Sequence, residues 1–169
     1  NFRDQNQQMI WLLGSAVGLM SVMSDAQSGG LIGVPMDIAP KAERAAACLD
    51  TPEGNQRWWG LPMAIRGAIW TVVPGITPAG KDPWKQLDQA MKLGEEQGVR
   101  LASALVGMIA YNNDNTALAK DVIRRHAASV KTIAPNNDYR MVDVMATDML
   151  TLISDRMWTD AMGYRTPVG

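Results

Sequence analysis

The chain has 169 residues, 47% of them apolar, with 16 basic against 17 acidic side chains and a net charge of −1. That length buries a sizeable core in one domain without staples. The charge balance argues against a general nucleic-acid binder, which shows a basic excess. One cysteine, Cys48, excludes an intramolecular disulfide and gives no basis for a thiolate metal site. Set in an Ala-rich run, Cys48 reads as a small buried hydrophobe. Six Trp and twelve Met against a single Phe suit a Met-filled helical core, or a surface that packs on a partner.

The chain opens at Asn1 with a polar stretch, a start that fits removal of an export signal as well as truncation. An uncharged run follows, MIWLLGSAVGLMSVM, opening at Met9 and closing at Met23. It is shorter than the roughly 20 residues of a membrane span and suits a buried or interface helix, with membrane contact as the alternative. Within it Gly14 and Gly18 form a GxxxG, a spacing that lets a second helix approach closely. Gly29 and Gly30 end the helix, and residues 31–40 read as an extended loop with two prolines. Residues 41–49 form a short Ala-rich helix, closed by a turn over 50–54.

The second apolar stretch is WWGLPMAIRGAIWTVV, residues 58–73. Pro62 fits the first turn of its helix. Arg66 lies in the middle, with Trp59 and Trp70 placed to cover its stem or stack on its guanidinium. A Pro/Gly-rich segment over 74–80 then reads as a linker. Asp82 followed by Pro83 marks a helix start. Three amphipathic helices are expected beyond it, over 84–111, 116–133 and 139–158. The first carries Gly94 and Gly98 as kinks or sites of close approach. Asn115 is placed to cap the second, and residues 163–169 read as a mobile tail. No strand-like alternation and no internal repeat is present.

His126 is the only histidine, which excludes zinc sites built on two or three imidazoles, and it reads as a structural, partly buried residue. Glu95 and Glu96, between two glycines, are a solvated pair or a partly desolvated acid. The carboxylates Asp143, Asp148 and Asp155 read as the solvated side of the last helix. No phosphate-binding loop, dinucleotide fingerprint, calcium loop or metalloprotease motif occurs.

Gly18-Leu19-Met20, inside GSAVGLMSVMSD, resembles the GLMQ stretch of lysozyme-like lytic transglycosylases, and Ala110-Tyr111-Asn112 resembles that family's AYN segment. The resemblance implies a helical fold and a glycan cleft flanked by both segments. The chain departs from it where chemistry is concerned: Ser21 replaces the Gln, and no Glu precedes Gly18 to supply the acid that glycoside cleavage needs.

The expected fold is all-α, a single domain of five to six helices. A three-helix unit over 81–162 packs with two apolar helical segments of an N-terminal half over 1–80. The expected function is non-enzymatic: a helical interaction or assembly component, of bacterial exported or envelope type, without cofactor, metal or nucleic acid. Its partner is another protein or a second copy, with membrane contact possible through the Met9 to Met23 run. The expected interaction residues are Trp11, Gly14, Gly18, Met20, Trp58, Trp59, Arg66 and Trp70. A peptidoglycan-active enzyme or a degenerate relative, and a toxin inhibitor or immunity protein, are the alternatives.

Overall fold

The computed structural model describes residues 2–35 and 37–166. The expectations for the polar start, the 31–40 loop and the 163–169 tail fall, at residues 1, 36 and 167–169, outside the described residues. The fold is all-α. Eight α-helices are present among the described residues where five to six were expected: α1 Gln5–Gln27, α2 Ile38–Ala47, α3 Pro52–Arg57, α4 Leu61–Val72, α5 Pro83–Glu96, α6 Leu101–Asn112, α7 Thr116–Thr132 and α8 Arg140–Met162. One turn of 3-10 helix, Asn137–Tyr139, precedes α8. The chain divides into two compact units, Asn1–Leu93 and Gly94–Gly169.

In the first unit, α1 starts where the Asp4 carboxylate accepts the Gln7 N–H at 2.8 Å, an N-cap that satisfies one of the helix's orphan donors. The helix therefore runs beyond the uncharged stretch at both ends. Leu12, Ala16, Leu19 and Met23 recur at the 4-3-4 spacing of one helix face and are buried. Ala39, Ala42 and Ala46 of α2 are also buried, and their small side chains let α2 lie close to both α1 and α4. The tight turn at Trp58-Trp59-Gly60 feeds α4. Trp59 and Gly60 both have positive φ, 51° and 74°. A Cβ on Gly60 would stand 2.7 Å from the Ala90 carbonyl oxygen, so only glycine fits there.

Arg66 ties this unit together. Its Nε donates to Glu43 at 2.9 Å and its Nη1 to Asp50 at 2.8 Å, and its guanidinium lies 4.7 Å from the Trp70 ring centre. Asp50 also accepts from Asn55 Nδ2 at 2.6 Å, and Asn55 Oδ1 accepts the Met63 N–H at 3.1 Å. Burial on its own would lower the proton affinity of Arg66. Its hydrogen bonds to Glu43 and Asp50 outweigh that and raise it.

The second unit begins with a break in place of a kink. The expected helix over 84–111 is two helices, α5 and α6. Gly98, at φ 68°, donates its N–H to Glu95 O at 3.1 Å, and Val99 donates to Gly94 O at 2.9 Å. Those two bonds are a Schellman stop, with the buried Val99 as its hydrophobic residue. A Cβ on Gly98 would meet Ala134 O at 2.4 Å. Glu95 is neither solvated nor a free acid: Arg125 of α7 grips both of its oxygens, at 2.6 and 2.9 Å.

Arg100 follows directly and is 0% exposed. Its backbone N–H and its Nη1 donate to the two oxygens of Asp143, at 2.9 and 2.7 Å. Its Nε donates to Ser129 Oγ at 2.8 Å, and its Nη2 to the carbonyls of Ser129 and Ile133 at 3.2 and 2.5 Å. One cation thus holds the start of α6, the end of α7 and the start of α8. Asp143, read from sequence as solvated, is buried because it is this cation's counter-ion.

Removing one member of a buried pair strands the other. Arg100→Met is expected to lose about 3–5 kcal/mol of stability, seen as a lower denaturant midpoint for the second unit. The double variant Arg100→Met/Asp143→Leu should recover part of that loss, since no buried charge is left unpaired.

Candidate functional site

The residue types that could carry function gather on the outer side of α1. Ile10, Gly14, Val17 and Ser21 repeat at the same 4-3-4 spacing as the buried face, on the opposite side of the helix, and all are exposed. Ile10 is 70% exposed, Val17 50% and Trp11 48%. The helix is apolar all round but buried on one side only. Its 23 residues are long and apolar enough, by length and composition, to cross a membrane, and 39% of its apolar window is buried. The charge-free run alone fell short of that length. The flanking Gln5–Gln8 and Ser24–Gln27 segments complete it.

A groove of about 330 Å³ opens between α1 and α2, walled by Ile10, Trp11, Gly14, Ser15, Ile38 and Lys41. The absent side chain of Gly14 shapes it, because a Cβ built there meets nothing within 4 Å. Gly18 behaves differently: its Cβ position lies 3.4 Å from Ile38 Cγ2. The GxxxG is therefore split, with Gly18 used for packing of α2 within the chain and Gly14 left open. Lys41 at the rim pairs with Asp37 at 2.5 Å. Met20 is half-buried.

The other expected interaction residues lie elsewhere. Trp58 and Trp59 are each 2% exposed and Trp70 is buried with them, so these rings form core and are not available as surface anchors. The Trp58 indole N–H donates to Gln8 Oε1 at 3.0 Å, which provides the partner a buried indole needs. Arg66 is engaged with Glu43 and Asp50 as described. The reading of Cys48 as buried is also corrected. It is exposed at the end of α2, two residues past the inward Ala46, while Leu49 takes the buried position.

Two further groups carry titratable chemistry. Asp25 accepts the N–H groups of Ile32 at 2.9 Å and Val34 at 2.7 Å. These bonds, that to Ile32 first, hold its pKa below the ordinary carboxylate value, so it is an anion that anchors the loop after α1. A general acid requires the opposite shift. His126 is 4% exposed, with Nε2 3.0 Å from Thr147 Oγ1. The Thr147 hydroxyl already donates to Asp143 O at 3.1 Å. A hydroxyl has one proton to give, so the ring must donate from Nε2 and leaves Nδ1 as a bare acceptor. Nδ1 is buried without a partner among the described residues. Burial first, and the Arg100 charge second, lower the His126 pKa, against the pull of Asp143.

No family model, curated protein or solved structure matches the chain. The segments resembling the transglycosylase motifs fall one in each unit, at α1 and at the end of α6.

An unfolded histidine titrates near 6.5, whereas folded His126 stays neutral to lower pH. Below about pH 6.5 the unfolded chain therefore takes up more protons, and stability should fall progressively as pH drops. Denaturant melts from pH 7.5 to 5 should show this slope, and His126→Gln should reduce it.

Proposed function

We propose that this chain is a non-enzymatic helical assembly protein that docks another helix, from a second copy or a protein partner, through the outer face of α1. The observation that carries this reading is the apolar face Ile10, Trp11, Val17 beside the groove that Gly14 leaves open. A soluble helix normally turns one apolar stripe inward and a polar face outward. Here the outward face would bring apolar area of its own to a contact, and a groove without a Cβ admits an incoming side chain. Trp11 is the anchor: a large amphipathic ring at the groove rim, of the kind that dominates contact energies.

A second reading, contact of the same face with a lipid surface, is favoured by the length and hydropathy of α1. Flotation with lipid vesicles separates the two, because protein assembly proceeds in plain buffer.

Gly14→Leu projects into the groove from a position where a Cβ meets nothing within 4 Å. Relative to glycine, leucine also favours a helix interior by about 1 kcal/mol. The variant should therefore melt no lower than the parent chain and yet associate more weakly. Trp11→Ala should weaken association further. Light scattering on a size-exclusion dilution series measures both. A parent chain that stays monomeric throughout, with no partner, would end the proposal.

A further inference from the structure

The second unit carries two surface features that match each other in shape class and charge. The first is a groove of about 400 Å³ between α7 and α8, lined by Ile123, Met157, Trp158 and Met162 with Lys120 and Arg124 on its rim. Lys120 and Arg124 are one helical turn apart and exposed, and neither has an ion-pair or hydrogen-bond partner among the described residues. Trp158 is braced edge-on by Tyr164 at 6.2 Å. The second feature is a stripe on α8: Met141, Met145, Asp148 and Leu152, at the 4-3-4 spacing of a helix-packing seam, flanked by Val144. All five are exposed. Asp148 has no partner among the described residues and sits in the middle of the apolar row.

Taken together, the geometry points to a second copy of this chain as the occupant of the groove, with the Met141–Asp148–Leu152 stripe of one molecule laid into the Lys120/Arg124 groove of the next. The inference rests on the assembly reading above and adds a second surface to it. The charge complement selects the occupant. An apolar groove with two free cations calls for an apolar surface with an anion embedded in it, and α8 itself presents one.

The faces also fix the symmetry. At 3.6 residues per turn, the stripe and the groove wall formed by Ser154, Met157 and Ala161 lie roughly 180° apart around α8. One contact cannot then use both surfaces reciprocally, as a two-fold dimer would. The contact is head-to-tail, and such contacts extend into chains or close into rings.

The test uses the full chain. K120E/R124E reverses the charge on the groove's rim and keeps the stripe, while D148K reverses the stripe's charge and keeps the groove. Each should fold as the parent does, by circular dichroism and melting, because all three residues are exposed. Each alone should weaken self-association by roughly tenfold or more, since like charges then face one another. Mixed, the two should assemble again with the variants alternating, since the unchanged stripe of one fits the unchanged groove of the other and the two charge-reversed surfaces complement each other as well. The triple variant K120E/R124E/D148K, with both charges reversed, should assemble again. If the parent assembles but none of these variants changes it, this inference is overturned and the α1 reading stands. Loss of assembly in K120E/R124E but not in D148K also overturns it, because the groove then takes something other than a second copy. A parent chain that is monomeric at every concentration and has no partner overturns both.

Discussion

The second unit depends on one cation placed where water cannot reach it. A guanidinium taken out of water costs several kcal/mol unless its donors are met. Arg100 meets them with Asp143, Ser129 and the last carbonyls of α7. The carbonyls at a helix end lack partners within the helix, and a cation there also suits the negative end of the helix dipole. The start of α8 contributes the anion. Three helix ends that would each need a cap share one side chain. The pair adds little net stability over a hydrophobic substitute of the same size. It does make other alignments of α6, α7 and α8 costly, since any of them leaves a charge buried and unpaired.

His126 follows from the same constraint. Beside Arg100 and sealed from water, the ring is held neutral. The Thr147 hydroxyl, having given its proton to the Asp143 carbonyl, accepts from Nε2, so the ring's one proton sits there and Nδ1 carries none. Asp143 thus governs its neighbour twice: its carboxylate holds the cation, and its carbonyl sets the tautomer. The protonation state of the histidine is thus tied to the ion pair.

Helix existence was legible because capping residues and apolar periods mark it: Asp82 before Pro83 and Asn115 before α7 both cap as their sequence implies. The break between α5 and α6 was less so. Gly98 followed by Val99 is a Schellman signature, but two glycines inside an apolar period also fit a kink. Arg100 was missed because a lone arginine gives no sequence signal of burial; its partners lie 29 to 43 residues away. On the candidate site, the GxxxG pointed to the correct helix and half of its meaning. Which glycine α2 would cover depends on how α2 packs against α1, which local pattern does not determine. The tryptophans were assigned to the surface because that residue type is enriched at interfaces, yet Trp58, Trp59 and Trp70 fill the core of a unit that has no phenylalanine there.

That use of tryptophan bears on what the surface is for. With the large rings of the 58–70 region committed inside, the first unit exposes Ile10, Trp11 and Val17 on α1, Leu31 and Ile32 in the loop after it, and Trp84. In the second unit most of the exposed large apolar side chains lie on α8. Scattered apolar residues on a surface need no explanation. Apolar residues in register along a helix face are another matter, since a seam spacing on the outside of a helix costs solubility and contributes nothing to the helix's own fold. On α8 that cost is tempered by a charge at the centre of the seam, Asp148. One embedded anion lowers the affinity of the stripe for apolar surfaces in general and keeps it for a surface that carries cations. The α7–α8 groove carries two. Exposed ion pairs contribute little affinity, so in the proposed contact the apolar rows would supply the attraction and the charges the register. An assembly built this way is expected to be reversible, sensitive to salt through its specificity, and dependent on concentration through its extent.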